Sequence, residues 1–248
     1  MKNIKCKYKI EGTDHELEMI FVEGTADDFY LFGAEEKIQV KIKDFFISKM
    51  PVTQALWKNI MGENANPSIV KNNNMAVENI SWNEITEPDG FLDKINQSKL
   101  MTAIKDQLRE NKKINFHLPS ETEWEYAARG GKNWKDDFIH SGSNNIVEVA
   151  WYQENSWDRT HEVGQKAPNQ LGIYDMNGNV WEWCQDYFHE DINTIPKDGS
   201  PVSEKSDSKV LRGGCFHNWA IHCTVFKRYE IMPDYKDGCI GFRLALSI

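Results

Sequence analysis

Three of the chain's five cysteines, Cys215, Cys223 and Cys239, stand close together and are interleaved with His217 and His222. Thiolates and imidazoles bind soft or borderline metals and carry nucleophilic or redox chemistry. The spacing contains no CxxC and no HxxxH ligand pair, and an odd cysteine count is no disulfide framework. It reads as reduced thiols, and a small buried apolar residue is the expectation for Cys223. Around these residues stand Phe216, Asn218, Trp219, Ile221, Phe226, Tyr229, Ile231, Tyr235, Asp237 and Gly238. They follow neither a period of 2 nor one of 3.6, so they map to no core face. A second chemistry-bearing stretch is NQLGIYDMNGNVWEWCQDYF, in which Asp175 and Glu182 flank an Asn-Gly turn. Two carboxylates and the carbonyls between them form a hard oxygen set of the kind calcium takes. Turn caps with Trp181 and Trp183 packed beneath are the other reading of the same spacing.

The elements that must position these residues come earlier in the chain. The first fifty residues alternate apolar and polar positions in short runs and predict a meander of strands. In PVTQALWKNIMG, Thr53 caps an apolar pattern at Leu56, Trp57 and Ile60 that stops at Gly62. Ser81 opens a second capped helix, which Pro88 and Gly90 interrupt before helix resumes over 91–108. The segment QSKLMTAIKDQLRENKK, 97–113, predicts a solvated helix. In LPSETEWEYAARGG, Ser120 and Glu123 form a capping box. Trp124, Ala127 and Ala128 are the expected buried side of that helix, which Gly130 and Gly131 close. From Lys132 to Lys209 the chain is loop-rich, and loops of that length need something to hold them. No internal repeat or low-complexity linker appears, which predicts one domain over 1–248.

Composition narrows the classes. With 248 residues and 40% hydrophobic content the chain can build a core. A formal charge of −9 and scattered basic residues give no nucleic-acid groove. No apolar run approaches the roughly 20 residues that cross a bilayer. The start, MKNIKCKYKIEG, lacks the apolar stretch of an export signal. A removed leader would leave no trace, so location stays open between a cell surface and the cytoplasm.

Taken in order, FISKMPVTQALWKNIMG, VENISWNEI, LPSETEWEYAARGG, NQLGIYDMNGNVWEWC, VLRGG and GFRLAL resemble the formylglycine-generating enzyme, or sulfatase-modifying factor, family over nearly the whole chain. The resemblance implies an α+β, C-type-lectin-like fold with short helices, small antiparallel sheets and long ordered loops. It implies a structural calcium site made by the side chains of Asp175 and Glu182 and the carbonyls of Gly178 and Val180. Enzymes of the family oxidise a substrate cysteine with copper held by two thiolates. Cys223 matches the second position, and Asn218, which cannot supply a thiolate, stands at the first. The family's iron-dependent carbon–sulfur branch needs histidines of an added helical domain, for which this chain has no room. A third branch, the variable proteins of diversity-generating retroelements, has a fixed frame around rewritten positions. The region 209–248 resembles that frame, VLRGG and IGFRLAL with changeable residues between.

Rewriting of asparagine codons reaches Phe216, His217, Asn218, Ile221, His222, Phe226, Tyr229, Ile231, Tyr235, Asp237, Gly238 and Cys239. It does not reach Trp219, Lys227, Glu230, Met232 or Lys236. On this reading Cys215 and Cys239 are chance products of diversification, and Arg212 and Arg243 are buried anchors of the frame. The expectation is a monomeric, non-catalytic protein that binds another protein through the patch, Trp219 included, and requires no cofactor beyond a structural calcium. A copper oxidase using Cys223 is the alternative.

Overall fold

The computed structural model describes residues 1–109, 114–133 and 137–248. Strands β1 (Ile4–Ile10) and β2 (Thr13–Val22) form a hairpin, followed by β3 (Tyr30–Gly33), β4 (Lys37–Val40) and β5 (Phe45–Ser48). Helices α1 (Gln54–Met61), α2 (Trp82–Thr86), α3 (Phe91–Asn96) and α4 (Lys99–Leu108) come next. Then follow β6 (Phe116–His117), α5 (Glu121–Ala128) and α6 (Ile146–Val149). The remaining strands are β7 (Trp181–Tyr187), β8 (Lys209–Arg212), β9 (Arg228–Ile231), β10 (Ile240–Gly241) and β11 (Ala245–Ser247).

The expected meander is only partly formed. β3 and β4 pair with each other alone, while β5 turns back to β2 and to the late strand β11, giving the order β1-β2-β5-β11-β6. The reason is burial on both faces. Phe46, Met19 and Leu246 enter one apolar cluster, and Phe45, Ile47 and Ile20 enter the other, as the period of 2 demands. A second sheet runs β10-β7-β8-β9, with β10 parallel to β7 and the other pairs antiparallel.

The caps read from the sequence are present. Thr53 accepts from the Leu56 amide, and Ser81 and Ser120 each close a full capping box, with Glu84 and Glu123. The expected helix over 91–108 breaks at Ser98, whose hydroxyl caps α4. α4 is solvated on one side only: Leu100, Met101 and Ile104 are buried in the first cluster. The rest of the expected segment, 110–113, lies outside the described residues. α5 departs most from expectation, since Glu121 and Glu125 are as fully buried as Trp124.

What holds the loop-rich half is a set of buried asparagines. Asn169 donates to the Ala127 carbonyl and accepts from the Leu171 and Ile173 amides. Asn177 accepts from Ser141, and Asn179 both accepts from and donates to the backbone of His161. An amide side chain offers donor and acceptor together, so each residue satisfies backbone groups that no strand partner reaches.

Candidate functional site

The site is a surface lying on a buried ionic frame. Arg212, fully buried at the end of β8, donates to Glu121 at 2.7 Å, to Glu125 at 2.6 Å and to the Val225 carbonyl at 2.6 Å. Arg228 at the start of β9 grips Glu121 a second time, at 2.7 and 2.8 Å. Burial alone would raise the Glu121 pKa, but Arg228 and Arg212 outweigh it and hold the carboxyl below its ordinary value. Arg243 donates to both oxygens of Glu182, at 2.6 and 2.7 Å, and to the carbonyls of Ser48 and Tyr174. The two arginines are the buried anchors that the sequence leads one to expect.

Across this frame the segment after Gly213 is fastened through its backbone. Cys215 donates to the Asn218 side-chain oxygen, Phe216 to the Asn179 carbonyl and Val225 to the Ile139 carbonyl. β9 pairs with β8 in register, Leu211 opposite Tyr229. Farther on, Asn83 donates to the Pro233 carbonyl, Asn79 to that of Asp237, and Trp181 to that of Cys239. With the backbone held, side chains are free to face outward. Ile221 is 71% exposed, Met232 56%, Trp219 55%, Tyr229 47% and Tyr235 40%.

None of the expected binding residues is fully buried, but they do different things. His217, Trp219, Ile221, Tyr229 and Tyr235 face solvent, with His222 half-buried beside them. Phe226 packs against the second apolar cluster, and Ile231 and Cys239 against the first. The Asn218 amide closes a turn, the Asp237 carboxylate accepts from the Cys239 amide, and Gly238 lies over Ile69 and Glu78. The outward face also includes Trp157 and Asp158, which the sequence reading missed. Trp157 is 75% exposed, and Asp158 meets His217 at 2.6 Å. Tryptophan density in the loops was the available signal, but nothing local shows that this loop meets the C-terminal segment.

The expected cation ligands converge only in part. Asp175 is buried; one of its oxygens accepts from Gly164 at 2.7 Å, and Oδ1 has no partner. Burial raises the Asp175 carboxyl to about 6, with the Glu182 charge adding to the rise. That orphaned oxygen fits a cation. The Glu182 carboxylate does not fit in the same way, because Arg243 and the Trp124 indole at 2.6 Å occupy both of its oxygens. Gly178 holds the turn at φ +70, where a Cβ would lie 2.1 Å from the Trp151 carbonyl oxygen. Among the described residues no three His, Cys, Asp or Glu side chains are grouped to hold a metal.

The copper expectation meets a similar geometry. Cys223 is fully buried, and burial pushes its thiol up to about 12. His140 holds the Cys223 carbonyl at 2.6 Å. Asn218, at the other thiolate's position, has its side-chain oxygen committed to the Cys215 amide.

Beneath the far edge of the surface lies Glu78, 2% exposed, with Oε1 on the Ile69 amide and Oε2 unpartnered. Burial raises its carboxyl to about 7, with Asp237 contributing and Lys71 opposing. A raised folded-state pKa favours the protonated form, so this contribution is present in full below about 4.5 and is lost as pH rises through 7. Glu78→Gln is therefore expected to stabilise the protein by about 1–3 kcal/mol at pH 8 and by almost nothing at pH 4. Denaturant melts at the two pH values check this; an equal change at both contradicts it.

Comparison with known proteins bears on the whole chain. The family model described as a sulfatase-modifying factor enzyme 1-like domain matches residues 11–248. The chaperone protein LppX of Paenibacillus barcinonensis is 33% identical over 80% of this chain and 84% of its own length. A formylglycine-generating enzyme of Streptomyces coelicolor is 29% identical over 76% of the chain and 60% of the enzyme. Among solved structures, Treponema denticola variable protein 1 superposes with a TM-score of 0.78 at 28% identity, covering 98% of both chains. The short helices, curled antiparallel sheets and long loops are thus the C-type-lectin-like arrangement that the sequence resemblance implies. With a match from residue 11 to residue 248 and these relatives, the chain belongs to the sulfatase-modifying factor, or formylglycine-generating enzyme, family.

Proposed function

We propose that the chain is a non-catalytic binding protein that presents the side chains of residues 216–239 to another protein, as a diversity-generating retroelement variable protein does. The observation that carries this reading is the division of labour in that segment. Its backbone is tied down at Cys215, Phe216, Val225, Pro233, Asp237 and Cys239, while Trp219, Ile221, Tyr229, Met232 and Tyr235 stand in solvent. Aromatic side chains give large contact area at small entropic cost, and exposed apolar groups gathered in one place mark an interaction surface. The likeness to a Treponema variable protein supports the same reading. Calcium enters it as a structural ion that Asp175, Gly178 and Val180 would hold, neutralising the buried Asp175 charge.

The second reading is an oxidase, favoured by Cys223 at a family copper position and by relatives named formylglycine-generating enzymes. A copper(I) titration of the reduced protein, followed by an oxygen-dependent assay on a cysteine-containing peptide, separates the two. The binding reading expects no peptide oxidation and copper uptake that is unchanged in Cys223→Ser. Turnover that disappears in Cys223→Ser would establish the oxidase instead.

A further inference from the structure

His117 stands on β6, the edge strand of the five-stranded sheet, and Ser247 on β11 beside it. Ala245 pairs with His117, so a period of 2 puts Ser247 on the same face as the histidine. The imidazole Nδ1 lies 2.8 Å from the Leu118 carbonyl oxygen, and Nε2 lies 2.8 Å from the Ser247 hydroxyl. A carbonyl only accepts, so the neutral ring carries its hydrogen on Nδ1. Nε2 is then the acceptor, and the Ser247 hydroxyl donates to it. A hydroxyl aimed at a ring nitrogen, on a ring fixed from its other side, is the arrangement that activates a serine nucleophile. Among the described residues no other histidine is hydrogen-bonded to a hydroxyl. Ser247 is exposed, and it and His117 line a cavity of about 320 Å³, room enough for a small acyl group and its leaving group. Ile42, Leu118 and Pro201 give that cavity an apolar wall. Glu123 lines it as well; burial raises its carboxyl and His117 opposes the rise, so an imidazolium would gain a counter-charge there.

We propose that Ser247 is a nucleophile, with His117 as its base, that takes an acyl group from a small ester or thioester. Ser247 Oγ attacks the acyl carbonyl carbon while His117 Nε2 takes the hydroxyl proton. The Oγ–C bond forms and the bond from that carbon to the leaving oxygen or sulfur breaks. The imidazolium then returns the proton to the departing alcohol or thiol, and nothing is oxidised or reduced. Gln185 lines the same cavity, and its side-chain amide makes no hydrogen bond among the described residues, which leaves its N–H groups for the oxygen that gains charge. What forms is an acyl-serine on the protein, so a binding protein can carry the site without turning substrate over. None of residues 216–239 lines this cavity, and the reactivity of Ser247 does not depend on binding at that surface.

The test treats the folded, full-length protein with p-nitrophenyl acetate at neutral pH and maps the acetyl groups after tryptic digestion. Cleavage after Arg243 frees the peptide 244–248, LALSI, whose one nucleophilic side chain is Ser247. That peptide is expected to gain one acetyl group in the wild type and none in Ser247→Ala. In the wild type Ser247 is expected to react about 100-fold faster than Ser200, which lines the same cavity but donates to the Asp198 carboxylate. His117→Asn keeps an N–H for the Leu118 carbonyl and removes the base, so acetylation of 244–248 should slow by about 100-fold while lysine acetylation elsewhere is unchanged. An unmodified 244–248 peptide in the wild type, equal rates at Ser247 and Ser200, or an undiminished rate in His117→Asn would each overturn the proposal.

Discussion

Replacing Arg243 by methionine is expected to destabilise the protein by about 3–5 kcal/mol, the cost of leaving a buried carboxylate without its cation. Arg243 has no solvent exposure and spends its donors on four acceptors: both oxygens of Glu182 and the carbonyls of Ser48 and Tyr174. Methionine fills similar volume but leaves Glu182, itself buried, with only the Trp124 indole N–H. Arg243→Lys is expected to recover little, because an ammonium cannot span acceptors that a planar fork reaches. The double variant Glu182→Gln/Arg243→Met should be more stable than Arg243→Met alone, since the stranded charge is then gone. Guanidinium melts of the three variants check the series. A loss below about 1 kcal/mol in Arg243→Met would mean that water reaches Glu182 and that the pair is no anchor.

Trp183→Ala carries an expected loss of similar size, about 3–5 kcal/mol, from a different cause. On β7 the period of 2 sends Trp181 and Trp183 into one apolar cluster, while Cys184 enters the other and Glu182 turns to Arg243 and Trp124. Trp183 is fully buried there, and its indole N–H donates to the Ile80 carbonyl at 3.0 Å. Truncation opens a cavity between the two sheets and strands that carbonyl, so the costs add. Trp183→Phe should keep most of the volume and isolate the lost hydrogen bond, about 1–3 kcal/mol. Chemical denaturation distinguishes the two variants; equal losses would place the whole effect in the hydrogen bond.

Local signals in the sequence proved legible, and distant ones did not. Thr53, Ser81 and Ser120 cap helices because a cap is decided by residues three or four positions apart. Gly178 holds the Asn-Gly turn for the same kind of local reason. The burial of Glu121 and Glu125 was not readable, because their partners Arg212 and Arg228 lie 87 to 107 residues away. By helical spacing both glutamates share the face of Trp124 and Ala128, and only their charge argues for solvent, because a buried carboxylate needs a partner that no local pattern supplies. The surface was legible as a list of side chains from Phe216 to Cys239, with the frame residues Arg212 and Arg243 correctly set apart. Its sorting into outward groups, such as Trp219 and Tyr229, and inward ones, such as Phe226 and Ile231, required the packing. The meeting of the Trp157–Asp158 loop with His217 depends on a chain crossing that no local pattern encodes.

β11 lies in the middle of the five-stranded sheet, with Ala245 opposite Ile47 on one side and His117 on the other. Those pairings join residues made late on the ribosome to residues made early, so β1, β2 and β5 wait with one edge open until Ala245–Ser247 emerge. Pairings of such long range are slow to form, and the waiting edge is prone to aggregation. The segment 215–239 immediately precedes β10 and β11, so its bridging path and the closing of the sheet are coupled. Folding itself then acts as an inspection of that segment, since a substitution there that diverts the chain also keeps the last strand from its place.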